Sequence, residues 1–137
     1  MDKKMNDVIT THLMKELKPA FIIVFGSFAK GTQRNDSDID LAFYPEDRTN
    51  PPTSYQLFII AQELAEKVKR EVDLVNLQTA STVFGAQIFH TGEVLYMNDQ
   101  MVFEQQRMTT LSMYVKLNEE RKEVLDQIYE SGSIYEQ

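Results

Sequence analysis

The run AFIIVF, residues 20–25, contains no polar side chain. Side chains alternate across a strand, so an unbroken apolar run leaves no face for water. Such a strand has to be covered on both sides. A chain of 137 residues must supply both covers from its own helices, which makes a layered α/β (α+β) domain the expected architecture. Two more short β-rich runs suit the same sheet, DIDLAFY at 38–44 and EVDLVNL at 71–77. EVLYM at 93–97 reads as a short edge strand.

The covering helices are legible between these runs. Met5, Val8, Ile9, Leu13 and Leu17 recur at helical spacing until Pro19 stops the pattern. After the polar, proline-rich loop PEDRTNPP, Thr53 and Gln56 suit a capping box. The helix it opens carries Leu57, Ile60, Ala61, Leu64, Ala65 and Val68 on one stripe. A further helix over about 80–90 ends near Gly92. From Asp99 to about Tyr129 the chain is one helical pattern with Met101, Met108, Leu111, Val115, Leu125 and Ile128 as its apolar stripe. No repeat or internal linker interrupts this order. The expectation is a single domain over 1–137: a small mixed β-sheet flanked by helices within about 1–98, then a long C-terminal helix over about 99–130. Its stripe is read first as core. A helix of that length nevertheless outruns what so small a domain can cover, so part of it is expected to meet a partner.

Composition narrows the function. Hydrophobic content of 42% and charged content of 26% are those of a soluble globular chain. No apolar run approaches the roughly 18 residues of a membrane span, and MDKKMNDVITTHL lacks the apolar segment of a signal peptide. The absence of cysteine rules out disulfides, thiolate metal sites and thiol nucleophiles, and a cytoplasmic location is expected. A net charge of −7 argues against direct nucleic-acid binding. It leaves room for a small anionic ligand whose charge is locally neutralised.

Residues 21–44, FIIVFGSFAKGTQRNDSDIDLAFY, carry the chemistry. Asp38 and Asp40 stand two apart at the head of a strand and so project from one face, with Ile39 and Leu41 anchoring them from behind. Unneutralised carboxylates this close repel, and one takes up a proton. A divalent cation removes that cost, and hard oxygen donors suit Mg²⁺, with Mn²⁺ as the alternative. Asp73, a lone acid inside EVDLVNL, repeats the arrangement. It would complete a site for one or two metals or act as the base for an attacking group. Gly26 lets the backbone turn and approach a ligand, and Ser27 offers a hydroxyl at the start of a short helix whose N–H groups suit a phosphate. A phosphate cradle facing metal-binding acids is what phosphoryl or nucleotidyl transfer requires.

Gly26-Ser27 followed at this spacing by Asp38-x-Asp40 resembles the signature of the DNA polymerase β-like nucleotidyltransferase superfamily. Asp73 falls where that superfamily has its third carboxylate. The short chain is similar to the minimal nucleotidyltransferases (MNT). VDLVNLQTASTVFGAQIFHTGEVLY with TLSMYVKLNEERKEVLDQI resembles, more narrowly, the MNT antitoxins of HEPN ribonuclease toxins. The resemblance implies a polymerase β-like core and a Mg²⁺-dependent antitoxin that transfers AMP from ATP to a tyrosine of its HEPN toxin. It places nucleotide-phosphate contacts on Gly26 and Ser27 and catalytic metal ligation on Asp38, Asp40 and Asp73.

Two other readings compete. Residues 99–137 hold four basic and eight acidic side chains, and such a surface could dock on a basic RNA-binding groove without catalysis. Transfer of a nucleotide to a small molecule, of the aminoglycoside type, would need a second subunit to build the pocket, and a homo-oligomer is compatible with the chain. The remaining polar residues have plainer readings. Lys30 and Arg34 are read first as solvated charges and only second as phosphate contacts, Asp36 as a loop residue and His12 as a surface residue. His90 is read as a group that caps its helix or meets the helix dipole.

Overall fold

In the computed structural model, residues 2–30 and 38–131 are described. Arg34 and Asp36 lie outside them. The elements run α1 (Lys3–Leu17), β1 (Pro19–Phe25), α2 (Ser27–Lys30), β2 (Ile39–Pro45), α3 (Ser54–Val68), β3 (Val72–Asn76), α4 (Thr82–Thr91), β4 (Glu93–Met97) and α5 (Gln100–Ser131). The strands form one mixed sheet in the order β3-β2-β1-β4. β1 is antiparallel to both β2 and β4, and β2 is parallel to β3. This is the small mixed sheet with flanking helices that the apolar runs imply.

The all-apolar β1 is covered on both faces. On one side Ile22 and Val24, with Ile39 and Leu41 of β2, pack against Ile9 and Leu13 of α1 and Ile60 and Leu64 of α3. On the other, Phe21 and Ile23 join Ala42, Tyr44 and Ile88, with Val102 and Phe103 of α5 against them. Phe21 stacks on Tyr44 at 5.7 Å and meets Phe103 edge-on at 5.0 Å, an aromatic cluster that locks the start of α5 to the sheet. Gly85 lets α4 and α5 close up, because a Cβ there would stand 3.2 Å from Thr110 Cγ2.

Local signals set the helix ends. Asp2 caps α1 through the N–H of Met5, and Lys18 closes it in the left-handed conformation at φ 47°. At α3 the capping box is complete: Thr53 Oγ1 accepts from the N–H of Gln56, and Gln56 Oε1 accepts from the N–H of Thr53. Asp99 caps α5 by accepting from the N–H of Val102.

Two expectations are corrected. His12 is not a surface residue; it is 4% exposed, with Nδ1 3.0 Å from Lys67 Nζ. It sits one turn after Val8 and Ile9, so it belongs to the stripe of α1 that α3 covers. The stripe of α5 is largely not core: Met101, Met108, Val115 and Leu125 are at least half exposed. Val102 and Phe103 make the core contacts instead. At 1.5 Å per residue, 32 residues make a rod of about 48 Å, and residues 118–127 are exposed throughout.

Candidate active site

Three strand ends meet at one margin of the sheet. The antiparallel register sets Phe25 opposite Asp40, and the parallel register sets Asp40 opposite Asp73. Gly26, just past the end of β1, Asp40 of β2 and Asp73 of β3 therefore follow one another in space, although 14 and 33 residues separate them along the chain. The neighbours of Asp40 do the anchoring: Ile39 and Leu41 are fully buried in the α1–α3 core. Strand alternation then turns the Asp40 side chain to the opposite face.

Gly26 abuts the carboxylate itself. Its φ is +72°, and a Cβ placed there would overlap Asp40 Oδ2. The turn is thus a cradle that only glycine fits. It leads into α2, which Phe28 anchors by burial beneath the Arg70 guanidinium, 5.2 Å from the ring centroid. Ser27, the first residue of α2, is half-buried beside this turn.

The acids are unequal. Asp40 is partly buried, whereas Asp38 and Asp73 are exposed. Burial, the adjacent Asp73 charge, a hydrogen bond to the Asp73 carboxyl and, last, the Asp38 charge raise the Asp40 carboxyl from 3.8 to about 6. Asp40 and Asp73 form the close pair. Asp38 lies one residue before β2 and contributes the smallest part. Among the described residues no three acidic or histidine side chains are gathered tightly enough to hold a metal ion unaided. Mg²⁺ does not need such a cage, since it takes one or two carboxylates and completes its shell with water and substrate phosphate. Paired acids, one of which resists ionisation because of burial and its neighbours' charge, suit that ion.

A pH test follows from the pair. The Asp40 carboxyl is raised in the folded state, so its ionisation opposes folding. Stability from this group is full below about pH 4, is lost as the pH rises through about 6, and is flat above that. Asp40→Asn should therefore stabilise the metal-free protein at pH 7.5 by about 1 kcal/mol, the nominal effect being reduced because solvent screens a partly exposed group. Tm in EDTA should rise by roughly 3–5 °C at pH 7.5 and change little at pH 4. A lower Tm at both pH values would show that Asp40 holds the fold together instead.

The sequence compares as this geometry suggests. The polymerase β nucleotidyltransferase family model matches residues 7–101, from α1 into the start of α5. The chain belongs to that family. The protein adenylyltransferase MntA of Shewanella oneidensis is 37% identical over 111 residues, 81% of this chain and 77% of that protein. A chain in the crystal structure of a toxin–antitoxin with AMP-PNP superposes with a TM-score of 0.79 at 34% identity, covering 90% of this chain and 98% of that one. A chain in the structure of tri-AMPylated Shewanella oneidensis HEPN toxin in complex with MNT antitoxin gives 0.76 at 30% identity, covering 94% and 99%.

Proposed function

We propose that this chain is an antitoxin of the MNT kind: a protein adenylyltransferase that moves AMP from ATP, with Mg²⁺, to a tyrosine of a HEPN ribonuclease toxin. The observation that carries this reading is the line Gly26, Asp40, Asp73 across three strand ends. It stands in a chain that aligns over most of its length with a protein adenylyltransferase. The Gly26–Ser27 turn receives the nucleotide phosphates beside Asp40. Asp40 and Asp73, with Asp38 just before β2, would hold the metal, which when bound would supply Lewis-acid polarisation and charge screening at the α-phosphate. The tyrosine oxygen attacks the α-phosphorus and forms the new O–P bond. The bond from that phosphorus to the bridging oxygen breaks, and pyrophosphate leaves with the electron pair. The hydroxyl proton passes to a carboxylate of the cluster, for which Asp73 is the candidate when it does not serve the metal.

The direct test is incubation of the purified chain with ATP, Mg²⁺ and a HEPN toxin. Intact mass should show the toxin gaining AMP increments, with one pyrophosphate released per increment, and EDTA should prevent both. Pyrophosphate release without added mass on the toxin would exclude a protein acceptor. A second reading, inhibition by occupancy, is favoured by one observation, the exposed apolar side chains along an acidic α5.

A further inference from the structure

The outer edge of β3 carries a groove from which the transfer chemistry above uses only Asp73. It holds about 360 Å³ between α3 and β3, and Leu57, Phe58, Ala61, Val72, Asp73 and Leu74 are among the residues that line it. Phe58 is 59% exposed there, a large apolar surface with no cover. Among the described residues no strand pairs with this side of β3, whose only ladder is to β2. Glu71 and Leu77 spend their backbone groups on β2: the Glu71 carbonyl accepts from the Ile39 N–H, and the Leu77 N–H donates to the Phe43 carbonyl. Bonding alternates along a parallel strand, so Val72 and Leu74 turn their N–H and C=O groups outward.

We propose that this edge receives the acceptor segment of the partner protein, as an extended strand added to β3. The inference rests on the adenylyltransferase reading and names where its protein substrate lies. Three observations support that occupant. Among the described residues the only charged one lining the groove is Asp73, so a triphosphate is repelled while a neutral peptide is not. The phosphate turn lies on the other side of Asp40, across β2, which leaves the β3 side for the attacking group. The third is the alternation of side chains. On β3, Val72 and Leu74 face the α3 side and Asp73 the opposite side. An added strand obeys the same rule. The residue level with Asp73 points to the carboxylates, and its two neighbours point into the groove against Phe58 and Leu57. The segment that fits is a tyrosine flanked on each side by an apolar residue.

The test uses the full chain, Mg²⁺ and the peptide acetyl-Ser-Val-Tyr-Val-Ser-amide at millimolar concentration, beside a version with both valines replaced by aspartate. With a non-hydrolysable ATP analogue, the valine peptide should slow amide exchange at Val72 and Leu74, and the aspartate peptide should not. With ATP, Phe58→Asp should raise KM for the valine peptide at least tenfold with kcat changed much less. Its Mg-ATP thermal shift should stay that of the parent chain, because Phe58 is exposed and lines the outer edge of β3, across β2 from the phosphate turn. AMP transfer to the valine peptide with unprotected β3 amides and an unchanged KM in Phe58→Asp would overturn the groove while leaving the adenylyltransferase reading intact. Protection of Val72 and Leu74 without any transfer would do the reverse, leaving a peptide site on a chain that is not a tyrosine adenylyltransferase. Protection that rises with protein concentration and needs no peptide would give the edge to a second copy of the chain and overturn the proposal.

Discussion

Asp40→Ala should lower AMP transfer by roughly 10³-fold or more while leaving a folded protein. Among the described residues Asp40 is the one acid that touches both halves of the site, with the Gly26 turn against its carboxylate and Asp73 hydrogen-bonded to it. On the proposed reading, its loss would remove the central metal anchor and the carboxylate against which the Gly26 turn packs, and such losses fall on the transition state. The same substitution removes a carboxylate whose charge is disfavoured first by burial and then by the neighbouring Asp73, so the folded state should not suffer. Cells expressing a HEPN toxin with the variant should therefore die although the variant accumulates, and toxin recovered from them should carry no AMP. Occupancy predicts the opposite: full rescue by Asp40→Ala, unmodified toxin, and loss of protection when α5 is cut near Leu117. Full rescue at near-native expression would end the catalytic reading.

Gly26→Val should abolish nucleotide binding. The position combines a φ of +72°, which a β-branched residue adopts only at a cost of about 1–3 kcal/mol, with a Cβ direction aimed at Asp40 Oδ2. Either the turn flattens and leaves the phosphates unreceived, or Asp40 swings away and the metal anchor goes with it. At a hundred times its Kd, Mg-ATP stabilises the native chain by roughly 2.7 kcal/mol, a rise of several degrees in Tm. That shift should vanish in Gly26→Val, shrink in Gly26→Ala, and be much smaller with EDTA in the parent chain. An undiminished shift in Gly26→Val would place the nucleotide elsewhere. Because Gly26 and Phe58 lie on opposite sides of Asp40, their variants should fail differently, the first in ATP binding and the second in acceptor KM.

Much of this molecule is written locally. The six apolar residues of AFIIVF demand a doubly covered strand, and β1 is one. The Thr53–Gln56 box needs only residues three apart, and it forms. Gly92 ends α4 and Glu93–Met97 forms the edge strand, both within the reach of neighbouring residues. The site motif was legible for the same reason, since Gly26, Ser27, Asp38 and Asp40 lie close together in the chain.

What the chain could not show in one dimension is whatever depends on which strand lies beside which. Spacing pairs Asp38 with Asp40, but the register of β2 on β3 makes Asp73 the closer partner of Asp40, because strands that pair level bring same-face side chains nearest. His12 reads as polar and hence exposed, until α3 closes over α1 and buries it against Lys67. The stripe of α5 reads as core, yet a rod of some 48 Å exceeds the sheet it packs on, and only Val102 and Phe103 near its start reach the interior. The groove proposed for the acceptor belongs wholly to this second kind. Nothing in the local sequence marks β3 as an outer strand, and only the order β3-β2-β1-β4 leaves its edge open beside the acids.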